Sequence, residues 1–549
     1  MDPQDSRLTT GRFLAEVAGR HADRRAICFD GRAISYRELE RESRRLARGL
    51  IGAGVVKGAR VAVHMANRPE WIYSHFAAGM LGAVLVPVNT YASRDELQYI
   101  LRHGDASLLL MQASLLKHDF LADLLADYPA ISDGRPGELR CLELPQLRRV
   151  VCFAGDAPRG GVESWEQLLA QGEAISDELL DACCANVEPA DDGVIIYTSG
   201  TTSRPKGVLH SQRSGVLQGW RFVDFMCLTP EDRVYTTYPF FWTAGIAMSL
   251  HATLAAGGCL LLQQSFEAEA ALDLIEAERA TAVHAWPHQG KAMAEHPTAA
   301  NRDLSCITKL DSGAALAPLA GVEKDEYGVG ASYGLSETFT IASGIPADSP
   351  APLRHSTHGK PWPGNVFRIV DPLTGERLAP GQEGEIALKG VSFMRGYYKL
   401  LPEQSVDEDG FFRTQDGGCI DADGYLHWSG RLSNIIKTGG ANVSPLEIEE
   451  TLTAYPGLRV GVALGVEHPD LGEAIVLCAV PVDGASIDEA ELRAWLRQRL
   501  AAYKVPKRIL VFSADELSYT GNQKIQVEPL LEKALARLAG SEIDGHRYG

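Results

Sequence analysis

Apolar, β-branched runs alternate with helix-like segments along much of the chain. The runs read RVAVHM at 60–65, AVLVPV at 83–88, SLLLMQ at 107–112, RRVVCF at 148–153 and GVIIYTSG at 193–200. A helix-like segment from Glu38 to Leu50 precedes the first run. Because strands that alternate with helices pack as layers, the pattern predicts an α/β fold for this part of the chain.

The pattern changes near Gly384 to short strands and turns punctuated by Gly and Asp, as in GEIALKG, GFFRTQDGG and DADGYLHWSG. After Gly430 come a helix-like segment from Pro445 to Ala454 and the strand-like runs VGVALGV and AIVLCAV, followed by a helix near 489–500. A chain of 549 residues exceeds what one core usually supports. We predict an N-terminal domain over 1–432, with a β-rich subdomain at about 350–430, and a small α+β domain over 433–549.

Composition and charge limit which partners the protein can bind. A net charge of −18 without a dense basic patch disfavours nucleic acid and membrane surfaces as partners. ATP stays compatible, because its site needs only a few local donors and a cation. The stretch from His75 to Val88 falls short of the roughly 20 apolar residues of a membrane span, which predicts buried core.

Three further features bear on location and folding. The opening MDPQDSRLTT has neither the basic start nor the apolar stretch of a secretion signal, so we expect a cytoplasmic protein. The ten cysteines form no CxxC pair or spaced Cys/His set, which predicts reduced thiols without disulfides or structural zinc. The Pro- and Gly-rich segment from Asp127 to Gly161 predicts a surface excursion.

The segment from Tyr197 to Val208, YTSGTTSRPKGV, follows an apolar run and is rich in hydroxyl groups. Gly200 lets the backbone approach a ligand closely, exposed amides can bind an anion, and Lys206 adds a cation. The hydroxyl donors are Thr198, Ser199, Thr201 and Thr202. No Gly precedes Lys206, and Gly207 stands where a Walker A loop has Ser or Thr, so a P-loop ATPase is disfavoured. The segment predicts a polyphosphate site.

The full string resembles the signature of the adenylate-forming superfamily, which includes acyl-CoA ligases, luciferases and peptide-synthetase adenylation domains. Further family blocks follow in the family's order, from about Arg60 to Ile525. They are YGLSET at 333–338, GEI at 384–386 with MRGY at 394–397, FRTQD at 412–416, the stretch from Gly430 to Ile448, and TGNQKI at 520–525. The resemblance implies a large N-terminal domain and a mobile C-terminal domain, and KTGGANVSP is most similar to acyl-CoA synthetases.

The resemblance implies a two-step reaction and a role for each matching residue. A carboxylate attacks the α-phosphate of MgATP to give acyl-AMP and pyrophosphate, and a thiol then displaces AMP. The implied catalytic residues are Lys524, which bridges the carboxylate and ATP, Lys206, which holds pyrophosphate, and Glu337, which with Thr202 ligates Mg²⁺. The implied nucleotide-binding residues are Thr198, Ser199, Gly200, Thr201, Thr202, Gly313, Ala314, Ala315, Tyr333, Gly334, Ser336, Asp416 and Arg431.

The same resemblance implies the acyl and thiol sites. Small Gly313 and Ala314, with Trp242 where the family block often has His, suggest a sizeable apolar acid, and His288 is expected to border that pocket. For the second step, Ser433 takes the hinge position. Coenzyme A is the expected acceptor, near Lys437, Gly439 and Gly440. A carrier-protein acceptor and luciferase-type oxygenation stay open.

Four positions depart from the family pattern. Ser203 and Gln415 replace glycines, Asn434 replaces an acidic residue, and Gln523 replaces the glycine before the terminal lysine. Where a family glycine has positive φ, a Cβ costs about 1 kcal/mol or more. Three hypotheses therefore stand: a complete acyl-CoA ligase, which we favour; an enzyme that uses preformed acyl-adenylate; and a non-catalytic binder.

Overall fold

The computed structural model describes residues 5, 8–153, 159–198, 205–432, 436–438, 441–469, 471–500, 502–519, 525–543 and 546–547. The chain divides into two compact units. The first comprises Met1–Val366 and Lys389–Gly410, and the second comprises Phe367–Leu388 and Phe411–Gly549. The predicted boundary at Ser433 lies outside the described residues and stays a prediction.

The described residues form helices and strands in frequent alternation. The α-helices are α1 (Thr10–His21), α2 (Tyr36–Gly52), α3 (Pro69–Met80), α4 (Arg94–His103), α5 (Phe120–Asp127), α6 (Pro129–Ser132), α7 (Trp165–Gln171), α8 (Asp177–Ala185), α9 (Gln212–Phe225), α10 (Ala252–Ala256), α11 (Ala268–Ala277), α12 (Pro287–Ala294), α13 (Ala317–Ala320), α14 (Ala351–Ser356), α15 (Pro445–Leu452), α16 (Glu489–Arg497) and α17 (Val527–Leu538). A π-helix, Gly245–His251, leads directly into α10.

The strands are β1 (Arg25–Phe29), β2 (Arg32–Ser35), β3 (Arg60–His64), β4 (Val84–Pro87), β5 (Leu108–Gln112), β6 (Ser114–Leu115), β7 (His118–Asp119), β8 (Arg149–Phe153), β9 (Val162–Ser164), β10 (Asp192–Thr198), β11 (Lys206–Ser211), β12 (Arg233–Thr236), β13 (Cys259–Leu262), β14 (Ala282–His284), β15 (Ser332–Leu335), β16 (Thr340–Gly344), β17 (Lys360–Pro361), β18 (Asn365–Val370), β19 (Gly384–Gly390), β20 (Gly396–Tyr397), β21 (Phe412–Ile420), β22 (Leu426–Arg431), β23 (Ile436–Thr438), β24 (Ala441–Val443), β25 (Leu458–His468), β26 (Gly472–Pro481), β27 (Arg508–Val511), β28 (Glu542–Ile543) and β29 (His546–Arg547).

The first unit contains two large, mostly parallel sheets. One has the order β14-β12-β13-β1-β2 and the other β20-β11-β10-β4-β3-β5-β8-β9. In the second sheet β10, β4, β3, β5, β8 and β9 run parallel, whereas β11 and β20 pair antiparallel. Helices α1, α2, α3 and α9 contribute to one continuous core that also contains residues of both sheets. The α/β prediction is confirmed.

Helix α2 illustrates how the sequence sets this packing. Ser35 caps the helix by accepting a hydrogen bond from the Glu38 amide at 3.1 Å. Leu39, Leu46 and Leu50 recur at helical spacing and are fully or almost fully buried, and each contributes about 1.5–3 kcal/mol. Helix α3 is buried along its whole length except at Glu70, as the apolar stretch beginning at His75 predicts. No helix among the described residues combines the length and apolar character that crossing a bilayer requires.

The segment from Asp127 to Gly161 is not a surface excursion, and that prediction is wrong. Its described part contains α6 and β8, and β8 pairs in parallel with β5 and β9 inside the eight-stranded sheet. Ile131 and Leu144 are almost completely buried. Single apolar residues between the prolines and glycines pack on the sheet, so the local composition misrepresents the segment. All ten cysteines are free thiols, as predicted.

The second unit contains a four-stranded sheet, β18-β19-β21-β22, and a five-stranded sheet in which β24, β23, β26 and β25 follow in order and β27 pairs parallel with β26. The strands β25 and β26 pair over the long register from Leu458–Pro481 to His468–Gly472. Helices α15 and α16 pack in one apolar cluster with this sheet. Helix α17 packs in a second apolar cluster, which includes Phe512. The predicted strands and helices of this region are present.

Buried histidines make the first unit sensitive to acid. Burial lowers the pKa of His64, His210 and His251 to about 4, whereas the unfolded side chains titrate near about 6.5. Below about pH 6.5 the unfolded chain therefore binds more protons than the folded chain, so stability is full at neutral pH and falls toward pH 4. Each residue accounts for about 3 kcal/mol over that range.

We expect the urea midpoint for unfolding of the intact protein to fall steadily from pH 7 to pH 5. His64→Leu removes one titrating group, and the slope of unfolding free energy against pH should decrease by about one proton. Urea titrations at pH 7, 6 and 5, read by circular dichroism, measure both quantities. A midpoint that is independent of pH in the wild type would contradict the assignment.

Candidate active site

The phosphate-loop segment begins at the carboxyl end of β10. Thr198 is the last residue of that strand and pairs with Lys206, the first residue of β11. The Tyr197 hydroxyl lies 2.8 Å from Nδ1 of His103, at the end of α4. This contact fixes the point at which the loop leaves the sheet. Ser199, Gly200, Thr201, Thr202 and Ser203 lie outside the described residues.

Tyr397 connects two of the predicted catalytic residues. Its hydroxyl donates to Oε1 of Glu337 at 2.7 Å, and Nζ of Lys206 lies 4.8 Å from its ring centroid. The arrangement follows from strand pairing, because Tyr397 in β20 pairs with Val208 in β11. The carbonyl of Glu337 also accepts a hydrogen bond from the Met394 amide at 2.7 Å. A carboxylate and an ammonium group therefore lie at the same tyrosine.

The motif YGLSET forms a strand and a tight turn. Gly334 in β15 approaches β16 so closely that a Cβ would lie 1.9 Å from the Thr340 carbonyl oxygen, which is why only glycine fits. Phe339 and Thr340 follow the turn with φ of 53° and 88°, a conformation that costs L-residues about 1–3 kcal/mol each. Such strain is characteristic of functional sites.

Buried polar side chains hold this strained turn in place. The Gln218 amide donates to the carbonyls of Phe339 and Ile341 at 3.2 and 2.6 Å. His210 Nε2 lies 2.7 Å from the Ser336 carbonyl and donates to it, since a carbonyl can only accept. The side chains of Ser336 and Glu337 remain partly exposed, whereas Tyr333 is 6% exposed.

The other predicted adenine segment lies beside α13. Gly313 and Ala315 are exposed and Ala314 is partly buried. The Gly313 amide donates to Oδ1 of Asp311 at 2.8 Å. This bond turns the backbone beside the small residues Gly313 and Ala315, which are exposed.

In the second unit, Asp416 and Arg431 are direct partners in the β21–β22 ladder. Asp416 is 2% exposed, its Oδ1 lies 3.1 Å from Arg431 Nε, and Arg431 Nη1 donates to the Thr414 carbonyl at 2.8 Å. Gln415, where the family has glycine, takes a left-handed conformation with φ of 61°. The strand geometry thus persists without the glycine.

Lys437 is exposed in β23, and its amide donates to Oε2 of Glu473 at 2.6 Å. The roles of the neighbouring residues stay predictions, because those residues lie outside the described part of the chain. They are Ser433, Asn434, Gly439, Gly440, Gln523 and Lys524.

Trp242 belongs to an aromatic cluster that also contains Tyr238 and Trp286. The ring centroids of Trp242 and Trp286 are 6.2 Å apart, and those of Tyr238 and Trp286 are 4.7 Å apart. His288, in the first turn of α12, is exposed. His284 instead stacks on Tyr238, with centroids 5.8 Å apart. The sequence places Tyr397 in the block MRGY but does not predict its contacts, and it assigns His284 no role, because the partners of both residues are distant in sequence.

The residues present fit Mg²⁺ that arrives bound to ATP. Among the described residues, no group of three or more His, Cys, Asp or Glu side chains could hold a metal ion by itself. Mg²⁺ in nucleotide enzymes is typically held by one or two carboxylates together with substrate phosphates. Glu337, whose carboxylate accepts a hydrogen bond from Tyr397, is a carboxylate of the kind that such a site requires.

Comparison with known proteins agrees with this arrangement. The AMP-binding enzyme family matches residues 14–398, and the AMP-binding enzyme C-terminal domain matches residues 447–524. A feruloyl-CoA synthase from Amycolatopsis sp is 34% identical over 91% of this chain and 94% of its own length. An indoleacetate–CoA ligase from Aromatoleum aromaticum is 32% identical over 93% of this chain and 96% of its own length.

A solved structure shares the architecture. ATP-bound MatB from Rhodopseudomonas palustris superposes with a TM-score of 0.73 at 26% identity, over 96% of this chain and 99% of its own. The family matches, the full-length relatives and the shared fold agree. The chain therefore belongs to the AMP-binding enzyme family, the adenylate-forming superfamily, and is an acid–thiol ligase of the acyl-CoA synthetase type.

Proposed function

We propose that this enzyme activates a bulky, largely apolar carboxylic acid as its acyl-adenylate and transfers the acyl group to coenzyme A. The arrangement of Glu337, Tyr397 and Lys206 carries the proposal. A carboxylate suited to Mg²⁺ and a cation suited to phosphate lie at one tyrosine. Lys206 belongs to the segment from Tyr197 to Val208, whose composition suits polyphosphate.

In the first step, a carboxylate oxygen attacks the α-phosphorus and the bond to pyrophosphate breaks. Two anions must meet, so the barrier is chiefly electrostatic, and the protein supplies positive charge and orientation rather than acid–base chemistry. We assign charge neutralisation at the reacting oxygens to Lys524 and retention of pyrophosphate to Lys206. We assign the ribose hydroxyls to Asp416, whose carboxylate is oriented by Arg431.

In the second step, the thiol sulfur attacks the acyl carbonyl carbon, the thiol proton is lost, and AMP leaves. We assign Lys437, Gly439 and Gly440 to the coenzyme A side of this step and Ser433 to the hinge. Gly439 and Gly440 have no side chains that would obstruct the pantetheine arm.

The aromatic cluster supports an acid with a flat apolar body. Tyr238, Trp242 and Trp286 are partly exposed. Trp286 lies within aromatic contact of the other two, so the cluster can pack against a ring. The feruloyl-CoA synthase and the indoleacetate–CoA ligase are both named for aromatic acids. We therefore extend the predicted bulky apolar acid to a ring-containing one.

Gln415 supports a second candidate mechanism, in which the enzyme uses preformed acyl-adenylate. Its φ of 61° places a Cβ where the family has glycine, directly before Asp416, and αL backbone is unfavourable for L-residues by about 1–2 kcal/mol. Strain beside the proposed ribose ligand would weaken the binding of ATP more than the binding of acyl-adenylate. The adenylate is also bound through its acyl group, and ATP is not.

Two assays separate the mechanisms. Carboxylate-dependent exchange of labelled pyrophosphate into ATP measures the first step, and thioester formation from synthetic acyl-AMP and coenzyme A measures the second. With a panel of long-chain, aryl and polycyclic acids, we expect both activities for an aryl or polycyclic acid. Thioester formation without any exchange would replace the complete ligase with the second mechanism, and neither activity would contradict both.

A further inference from the structure

Four side chains meet at the carboxyl ends of two neighbouring parallel strands. In the five-stranded sheet of the first unit, Thr236 at the end of β12 is in register with His284 at the end of β14. Tyr238 and Trp286 lie two residues beyond the ends of these strands. Ligands of α/β proteins bind beyond the carboxyl ends of parallel strands, so the topology alone makes this edge a binding position.

The side chains at this edge form a partly exposed cluster. Tyr238, Trp242, Trp286 and His284 are all partly exposed. Burial nevertheless raises the pKa of Tyr238 to about 12 and lowers the pKa of His284 to about 4. Solvent therefore reaches these two groups, and the surrounding protein still desolvates them. His284 is therefore neutral at physiological pH.

A buried hydroxyl chain determines which nitrogen of His284 carries the proton. Nδ1 lies 3.0 Å from the Ser249 hydroxyl, which lies 2.8 Å from the Thr236 hydroxyl. Thr236 also accepts a hydrogen bond from the Tyr238 amide at 3.0 Å. Both hydroxyl residues are fully buried, so each hydroxyl hydrogen needs an acceptor.

Only one direction of this chain satisfies every hydrogen. If Thr236 donates to Ser249 and Ser249 donates to Nδ1, both hydroxyl hydrogens have acceptors. In the reverse direction, the Thr236 hydroxyl hydrogen has no acceptor among the described residues. Nδ1 of His284 is therefore an acceptor, and the ring proton is on Nε2. Nε2 has no protein acceptor in the described part of the chain, and the ring is partly exposed.

We infer that His284 is a specificity-determining residue whose Nε2–H donates to a hydrogen-bond acceptor on the acyl group. The inference rests on the proposed function, in which this aromatic cluster contacts the acid. The substrate class it names is a carboxylic acid with a flat ring and an uncharged acceptor, such as a carbonyl oxygen, remote from the reacting carboxylate. An isostere without the acceptor leaves the Nε2–H unpaired and is disfavoured.

Matched acids test this in the full-length protein by isothermal titration without ATP or coenzyme A. The pairs are 3-(4-acetylphenyl)propanoate with 3-(4-isopropylphenyl)propanoate, and the corresponding 3-substituted acids. We expect the acetyl acid of at least one pair to bind about tenfold more tightly than its isostere. In His284→Phe the Kd values should become equal through loss of acetyl-acid affinity alone, because the phenyl ring keeps the aromatic contact.

Two further variants separate the donor from the fold. His284→Gln retains an N–H donor and should retain part of the discrimination, whereas Ser249→Ala removes the hydrogen bond that fixes the tautomer and should reduce it. Equal binding of both acids by the wild type, or no binding of either, overturns the inference. Equal weakening of both acids in His284→Phe also overturns it, since that indicates a structural or carboxylate contact. The exchange and thioester assays test the proposed function independently of these binding measurements.

Discussion

Lys524→Ala should abolish adenylation and largely spare thioester formation from synthetic acyl-AMP. In the proposed first step, the lysine ammonium lies between two anions whose charge must be neutralised while the carboxylate attacks phosphorus. Removing one group that stabilises developing charge costs about 10²–10³-fold in rate. In the second step the adenylate is already formed, so the lysine is no longer required. Pyrophosphate exchange and coenzyme A acylation, measured on the same preparation, give the two rates.

Lys437→Ala provides the reciprocal control. Lys437 is exposed, and its backbone amide is held by Glu473, so removal of the side chain leaves that contact in place. The variant should retain pyrophosphate exchange and lose part of its acylation rate through weaker coenzyme A binding. Loss of both half-reactions to an equal extent in Lys524→Ala would contradict the role assigned to that lysine.

Glu337→Gln should reduce pyrophosphate exchange by about 10²–10³-fold and raise the Mg²⁺ concentration needed for half-maximal rate. The amide keeps the shape of the side chain and its acceptor for Tyr397, but it removes the negative charge that a hard cation requires. Exchange rates measured across a Mg²⁺ titration at saturating ATP test both effects.

Tyr397→Phe is the matched control for Glu337→Gln. It removes the hydroxyl that orients the carboxylate and keeps the ring that Lys206 contacts. One neutral donor to a charged acceptor contributes about 1.5–3 kcal/mol, so the rate should fall by roughly tenfold to a hundredfold, less than in Glu337→Gln. A Mg²⁺ dependence in Glu337→Gln identical to that of the wild type would show that Glu337 is not a metal ligand.

The pattern of apolar and polar residues predicts an element correctly where local interactions determine whether that element forms. The structure contains the strands predicted at 60–65, 83–88 and 107–112 and the helix predicted near Glu38. Apolar β-branched runs favour strands and capped amphipathic segments favour helices through local interactions. The same approach was wrong for 127–161, where prolines and glycines suggest a surface path. Local pattern does predict the strand at 148–153, but only tertiary packing buries isolated apolar residues such as Ile131 and Leu144 in the core beside it.

The sequence by itself determined the superfamily and predicted the reacting groups, because the family's blocks occur along the chain in the family's order. The tertiary structure alone decided which groups touch. Tyr397 meets Lys206 because β20 pairs with β11, and it meets Glu337 across 60 residues. His284 meets Ser249 because the π-helix lies beside the end of β12, where Thr236 is in register with His284. Such contacts arise from strand register, and no short stretch of sequence encodes it.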